Sequence, residues 1–146
     1  MAAEPQNYKN HARFVPAYHF VLLPLLILGL GFSVLGLYHS LGDHRQFHTA
    51  ALLLLLMLST LMTAFFARLF SLKAQDRAIR AEENLRHYVL TGKLLDPRLS
   101  CLQIVGLRFA PDDEFPALAA RAAAENMAQK DIKLAVKNWR ADEYRV

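Results

Sequence analysis

The sequence predicts an all-α fold: a two-helix transmembrane hairpin, then a juxtamembrane amphipathic helix and three short helices. Three observations predict it. Two charge-free apolar runs, Ala17–His39 and Gln46–Ala67, are each about 22 residues long, and about 33 Å of helix at 1.5 Å per residue matches the hydrocarbon core of a bilayer. Neither Gly nor Pro occurs between Ala67 and Thr91, so the second run continues as helix. Beyond Gly92, helix start and stop signals cut the remainder into short pieces. The 54% apolar content crowds into the first half, whereas residues 73–146 carry 13 Lys and Arg against 11 Asp and Glu. One membrane part and one soluble part follow.

Residues 1–16 are polar and basic, with Lys9 and Arg13, and form an N-terminal segment expected in the cytoplasm. Residues 17–39 form the first span. A cleaved signal peptide is the rival reading, but the run exceeds a usual h-region and a second span follows directly. Tyr18, Phe20 and Tyr38 suit the two membrane interfaces. Pro24 lacks an N–H and is expected to bend the helix about one turn from its start. Gly29, Ser33, Gly36 and Ser40 recur at i, i+4, i+7 and i+11, a narrow face of small residues along which another helix can approach closely.

Residues 40–48, SLGDHRQFH, are too few for a domain and read as a periplasmic turn with Gly42 and Asp43 as turn formers. Residues 49–72 form the second span, whose Thr60, Ala64, Ala67 and Ser71 repeat the small-residue spacing, with Ser59 and Thr63 beside them. The two small faces are expected first to meet each other, and otherwise to dock a foreign helix. Lys9 and Arg13 precede the spans and Arg68, Lys73, Arg77 and Arg80 follow them, against Arg45 alone in the turn. The positive-inside rule then places both ends of the chain in the cytoplasm.

Residues 73–146 form the helical cytoplasmic tail. Ala74, Ala78, Ala81, Leu85 and Tyr88 make a stripe that reads as a packing face for another helix, with Asp76–Arg80 and Glu82–Arg86 as i, i+4 pairs on the wetter side. Arginines just below a membrane also suit anionic headgroups. Gly92 is a natural stop. Asp96 before Pro97 is the expected N-cap of a helix carrying Leu99, Leu102, Val105 and Phe109, and Pro111 ends it. Asp112, Asp113 and Glu114 favour the start of the next helix, with Pro116 in its first turn and Phe115, Leu118, Ala119 and Ala122 along its stripe. The last helix is expected to present Ile132, Ala135, Val136 and Trp139. A bundle of about 50 residues is marginal alone and calls for outside support.

The chemistry-bearing residues are sparse. His39, His44 and His48 near the turn are candidate ligands for a metal, haem or chlorophyll magnesium, but a short solvated loop supplies no second shell, and interfacial histidines are the preferred reading. His19 reads the same way. Cys101 and His87 lack an orienting third group. Phosphate-binding loops, dinucleotide glycine patterns and HExxH do not occur, and neither span holds an ionisable side chain for a transport path. The near-even tail charge and the acidic residues of the last helix speak against a nucleic-acid interface. No enzyme, cofactor or metal is expected.

Gln6-Asn7-Tyr8-Lys9-Asn10-His11, Tyr18-His19-Phe20, Asp76-Arg77, Ala81-Glu82-Glu83-Asn84, Leu107-Arg108-Phe109-Ala110 and Lys137-Asn138-Trp139-Arg140-Ala141-Asp142 together resemble an uncharacterised family of small bacterial membrane proteins with two N-terminal spans. The resemblance covers nearly the whole chain. It implies an inner-membrane protein with a helical cytoplasmic tail and no assigned activity, so no residue role carries over. The functional expectation is a non-catalytic accessory subunit of a larger membrane complex. A respiratory or photosynthetic electron-transport assembly is the expected host, since such complexes recruit small helical subunits. Its partners would be larger integral-membrane subunits and lipids, met through the Gly29, Ser33, Gly36 face and through Tyr8, Trp139 and Arg140. The alternative is a free-standing anchor whose tail recruits a cytosolic protein or anionic lipid.

Overall fold

The computed structural model describes residues 5–12 and 14–142; Arg13, one of the flanking charges, lies outside them. Among the described residues all regular structure is helical. The chain forms two compact units: residues 14–71, and the N-terminal segment together with the chain from residue 72 onward.

In the 14–71 unit a π-helical stretch, Ala17–Leu22, runs into helix α1, Leu23–His39. The irregularity expected at Pro24 takes this form. Proline in the first turn of α1 has no N–H to give the preceding turn, and the chain before it winds wider, the Leu23 N–H donating five residues back to the Tyr18 carbonyl. The following turn is shorter than 40–48. The Asp43 carboxylate accepts from Arg45 N (2.9 Å) and Gln46 N (3.2 Å), which caps helix α2 at once, so that α2 spans His44–Thr91.

Residues of α1 and α2 meet at several levels. The Tyr18 hydroxyl donates to the Ala64 carbonyl at 2.9 Å. A Cβ on Gly29 would lie 2.9 Å from Met57 Sδ, so glycine is what permits the approach there. Gly36 and Ser40 line one recess with Thr49 and Ala50. The more buried positions, Leu23, Leu26, Leu30, Ser33 and Leu37 on one helix and Ala50, Leu54, Met57, Leu61 and Ala64 on the other, alternate spacings of three and four. That is the seam of a left-handed helix pair. The hydroxyls of Ser33, Ser59, Thr60, Thr63 and Ser71 bond to carbonyls of their own helix, so none is left unsatisfied. Both helices are long and apolar enough to cross a membrane.

In the second unit α3 (Cys101–Leu107), α4 (Phe115–Ala124) and α5 (Gln129–Ala135) pack on one another, and the end of α2 meets Cys101 of α3 at the Asp76 carbonyl and Phe115 of α4 under the Arg86 guanidinium. Gly92, at φ +73°, ends α2, its N–H donating to the Tyr88 carbonyl at 2.8 Å. Phe109, Phe115, Ile104, Leu107 and Ile132 are the largest fully buried side chains. Gly106 sits where α3 crosses α5, and a Cβ there would come within 3.2 Å of the Gln129 carbonyl oxygen. Asn126, at φ +48°, closes α4 in the left-handed conformation, with Met127 N bonding back to the Ala122 carbonyl at 3.1 Å.

Four expectations are corrected here. Helix α3 starts at Cys101, not Asp96: Ser100 and Gln103 form a reciprocal capping box, while the Asp96 carboxylate closes on Arg98 (2.7 Å) and leaves Leu99 before the helix, which ends at Leu107, short of Phe109. The last helix ends at Ala135, because Lys137 N and Asn138 N donate to Glu114 (2.9 and 3.1 Å) and Arg140 N to the Phe109 carbonyl (2.8 Å). Trp139 therefore stands on an extended segment. The stripe Ala74, Ala78, Ala81, Leu85 and Tyr88 is exposed and remains open to another helix, while α2 buries Ile79 and Glu83. Finally, Arg86 pairs with Glu83 and Asp112 (2.9 and 2.7 Å), not with Glu82, and Asp112 serves that pair where a helix-capping role was expected.

Candidate functional site

The second unit is closed by segments from far apart in the sequence. Residues 5–10 fold on themselves first. Asn10 Oδ1 accepts from Asn7 N (2.6 Å), Asn7 Oδ1 from Lys9 N (2.8 Å), and both side-chain amides reach the Pro5 carbonyl (3.4 and 3.2 Å). This knot presents Gln6, Tyr8 and His11. Gln6 Oε1 accepts from Asp142 N at 2.9 Å. The His11 ring stacks on Tyr8 (5.6 Å between centroids) and lies 5.7 Å from both Phe109 and Trp139, whose own rings are 4.6 Å apart. His11 Nδ1 is 2.7 Å from the Tyr8 carbonyl and Nε2 is 3.2 Å from Lys133 Nζ. The carbonyl only accepts, so the consistent tautomer carries its proton on Nδ1 and takes the lysine proton at Nε2.

Beside this cluster lies a cleft of about 450 Å³, whose charged lining comes from Glu82, Glu83, Arg108, Arg140 and Asp142. Glu82 apart, these charges pair with one another or with Arg86. Arg108 Nε is 2.8 Å from Asp142 Oδ2, and Glu83 takes Arg86 Nη1 at 2.9 Å and Arg140 Nη1 at 3.5 Å. Arg86 also donates to the buried Ala110 carbonyl (2.7 Å), with its guanidinium 4.4 Å over the Phe115 ring. Arg108 lies 4.6 Å over Phe109. Two carboxylates outside the cleft are held below their ordinary pKa. The Arg98 guanidinium brings Asp96 to about 2, and the hydrogen bond from the Lys137 backbone lowers Glu114. Among the described residues no nucleophile stands beside a base in this cleft, and its ion pairs tie distant segments together.

Of the segments singled out from the sequence, residues 18–20 belong to the 14–71 unit and the others to this one, where residues 6–11, Glu83 of 81–84, residues 107–110 and residues 137–142 come together. Tyr8 and Trp139, expected to reach a partner, are half-buried within the chain, and Arg140 is about half exposed. The small-residue face is divided. Gly29 is occupied by Met57, Ser33 is half-buried and Ser40 buried, whereas a Cβ added at Gly36 would meet nothing within 4 Å and Ala67 is exposed. Thr60 and Ala64 are half-buried. His39, His44 and His48 are all exposed and do not converge; His39 lies edge-on to Tyr38 and His48 to Phe47. Among the described residues no three His, Cys, Asp or Glu side chains gather as a metal site. Cys101 donates to the Asp76 carbonyl at 3.5 Å. Sequence reasoning missed Gln103, buried and bonded to the Met127 carbonyl at 2.8 Å, although Ser100-x-x-Gln103 is a readable capping box.

The sequence pattern of a family of unknown function, DUF6526, matches residues 1–146, and the chain belongs to that family. No curated protein and no solved structure matches it.

Proposed function

We propose that this DUF6526 member is a two-span protein of the bacterial inner membrane. It acts as a non-catalytic accessory subunit of a larger membrane complex, with an electron-transport assembly as the expected host. The observation that carries the reading is the outward face of the 14–71 unit. Phe32 is 71% exposed, Leu52 67% and Leu25 60%, and among the described large apolar side chains of this unit only Leu26 is buried. At about 25 cal/mol per Å² such a surface is stable only against lipid or partner helices.

A second observation supports a hairpin with both ends on one side. Residues before α1 and residues after α2 belong to one packed unit, bonded through Gln6 and Asp142. They therefore share a compartment, and the two helices between them make an even number of crossings. Lys9, Arg68, Lys73, Arg77 and Arg80 favour the cytoplasm as that compartment. Gly36, open beside the recess of Ser40, Thr49 and Ala50, gives a foreign helix room for a close approach.

The test is purification of the tagged native protein from its own membranes in mild detergent, with a native gel, mass spectrometry of co-migrating chains and a visible spectrum. Co-migration with a large stoichiometric assembly is expected. Migration as a small colourless species without stable partners overturns the reading and leaves an anchor whose tail recruits a cytosolic protein or anionic lipid.

A further inference from the structure

The exposed stripe on the second half of α2 has a register of its own. Ala74, Ala78, Ala81, Leu85 and Tyr88 follow one another at steps of four, three, four and three residues along one unbroken helix. All five are exposed, Leu85 at 64% and Tyr88 at 53%, and the helices of their own unit pack instead on the side of Ile79 and Glu83. A 3.5-residue repeat is what two helices need to keep one seam facing along a left-handed supercoil. Alanine at three of the five positions lets the backbones approach closely.

What covers this face is indicated by the charges beside it. Arg77 and Glu82 flank the seam on opposite sides, five residues apart, and both are exposed. Among the described residues Arg77 takes no ion pair, and Glu82 takes none either, since Arg86 is held by Glu83 and Asp112. In a parallel pair of identical helices the residue before one seam position faces the partner's residue five further on. Arg77 of each copy then meets Glu82 of the other, twice by symmetry. A lipid surface would want cations on both flanks, and this face carries one charge of each sign.

We propose that this face is a self-association surface, occupied by the same face of a second copy in a parallel helix pair. The parallel orientation rests on the membrane reading of α2, which sets both copies the same way up; the pairing surface itself goes beyond that reading.

The full-length protein in its own membranes provides the test, in a Cys101→Ser background. Copper-phenanthroline oxidation should cross-link Ala78→Cys and Ala81→Cys each into a species of twice the protomer mass, and leave Arg80→Cys, on the far flank, monomeric. Arg77→Glu or Glu82→Arg should lower the Ala81→Cys cross-linking about tenfold, as two attractive pairs become repulsive, and the two changes together should restore it. Equal cross-linking at Arg80→Cys, no dimer at either alanine, a product of any other mass, or no rescue by the charge swap overturns the proposal. An alkaline wash of the same membranes separates the two readings. Release of the protein refutes the membrane reading, whereas retention without cross-linking refutes the pairing alone.

Discussion

Replacing Arg86 by methionine keeps the length of the side chain and removes every polar contact it makes. Glu83, whose side chain is 6% exposed, would keep only Arg140 Nη1 at 3.5 Å, from a side chain that is itself 52% exposed. Leaving a buried charge in that state costs about 3–5 kcal/mol. Loss of the donor to the Ala110 carbonyl adds about 1 kcal/mol, and loss of the guanidinium over Phe115 about as much again. Asp112 is 69% exposed and contributes well under 1 kcal/mol. These terms overlap, and the expected loss is about 4 kcal/mol. For a unit of this size that lowers its melting point by about 16–30 °C. Trp139 is the chain's single tryptophan and its ring lies 4.6 Å from Phe109, so its fluorescence reports the unfolding of this unit in the full chain in micelles. Arg86→Met with Glu83→Leu should recover more than half of the loss, because an apolar pair replaces an orphaned charge. A single variant within about 1 kcal/mol of the parent, or a double variant no better than the single, would refute this account.

Two further expectations follow from the same geometry. Gly29→Leu should destabilise the 14–71 unit by about 1–3 kcal/mol, since even its Cβ meets Met57 Sδ at 2.9 Å, while Gly36→Leu, whose Cβ meets nothing within 4 Å, should leave the isolated protein unchanged and weaken only a foreign contact; circular-dichroism melts in micelles compare them, and equal effects would contradict the packing described. Asp96 has its pKa lowered from 3.8 to about 2, so its pairing with Arg98 stabilises the fold above about pH 4 and is lost as the pH falls towards 2. Asp96→Asn should therefore be less stable than the parent above about pH 4, with the two converging near pH 2 in Trp139 melts; a constant difference across that range would speak against the Arg98 pairing as the cause.

The parts of the fold that are legible in the sequence are those specified locally. The apolar run Ala17–His39 predicts a first helical stretch over the residues it occupies; Phe115, Leu118, Ala119 and Ala122 are buried as their spacing implies; Gly92 ends α2. The errors fall where two local signals compete or where a distant residue decides. Asp96-Pro97 and Ser100-x-x-Gln103 are both helix starts, and the reciprocal pair prevails because it satisfies two orphan N–H groups where Asp96 turns to Arg98. The length of the last helix depends on Glu114, 23 residues before Lys137, and no periodicity carries that information. On α2 the side toward the rest of the unit is set by Ile79, Glu83 and Arg86, whose partners come from distant segments, and the spacing of the alanine stripe does not reveal it. The meeting of Gln6 with Asp142 leaves no trace in spacing at all.

That meeting constrains how the protein can be made. Residues 6–11 leave the ribosome well before residues 137–142, with a separation of 136 residues between Gln6 and Asp142. At about 5–20 residues per second, the early segment waits on the order of ten seconds for its neighbours. During that interval both apolar helices must be delivered to their final surroundings, and Phe109 has no Trp139 against it. A nascent chain stalled after α5 would carry all five α-helices of the described residues and still lack Trp139 against Phe109. The clasp of the two distant segments is thus closed late, by the residues that bring Trp139 onto Phe109 and Asp142 onto Gln6.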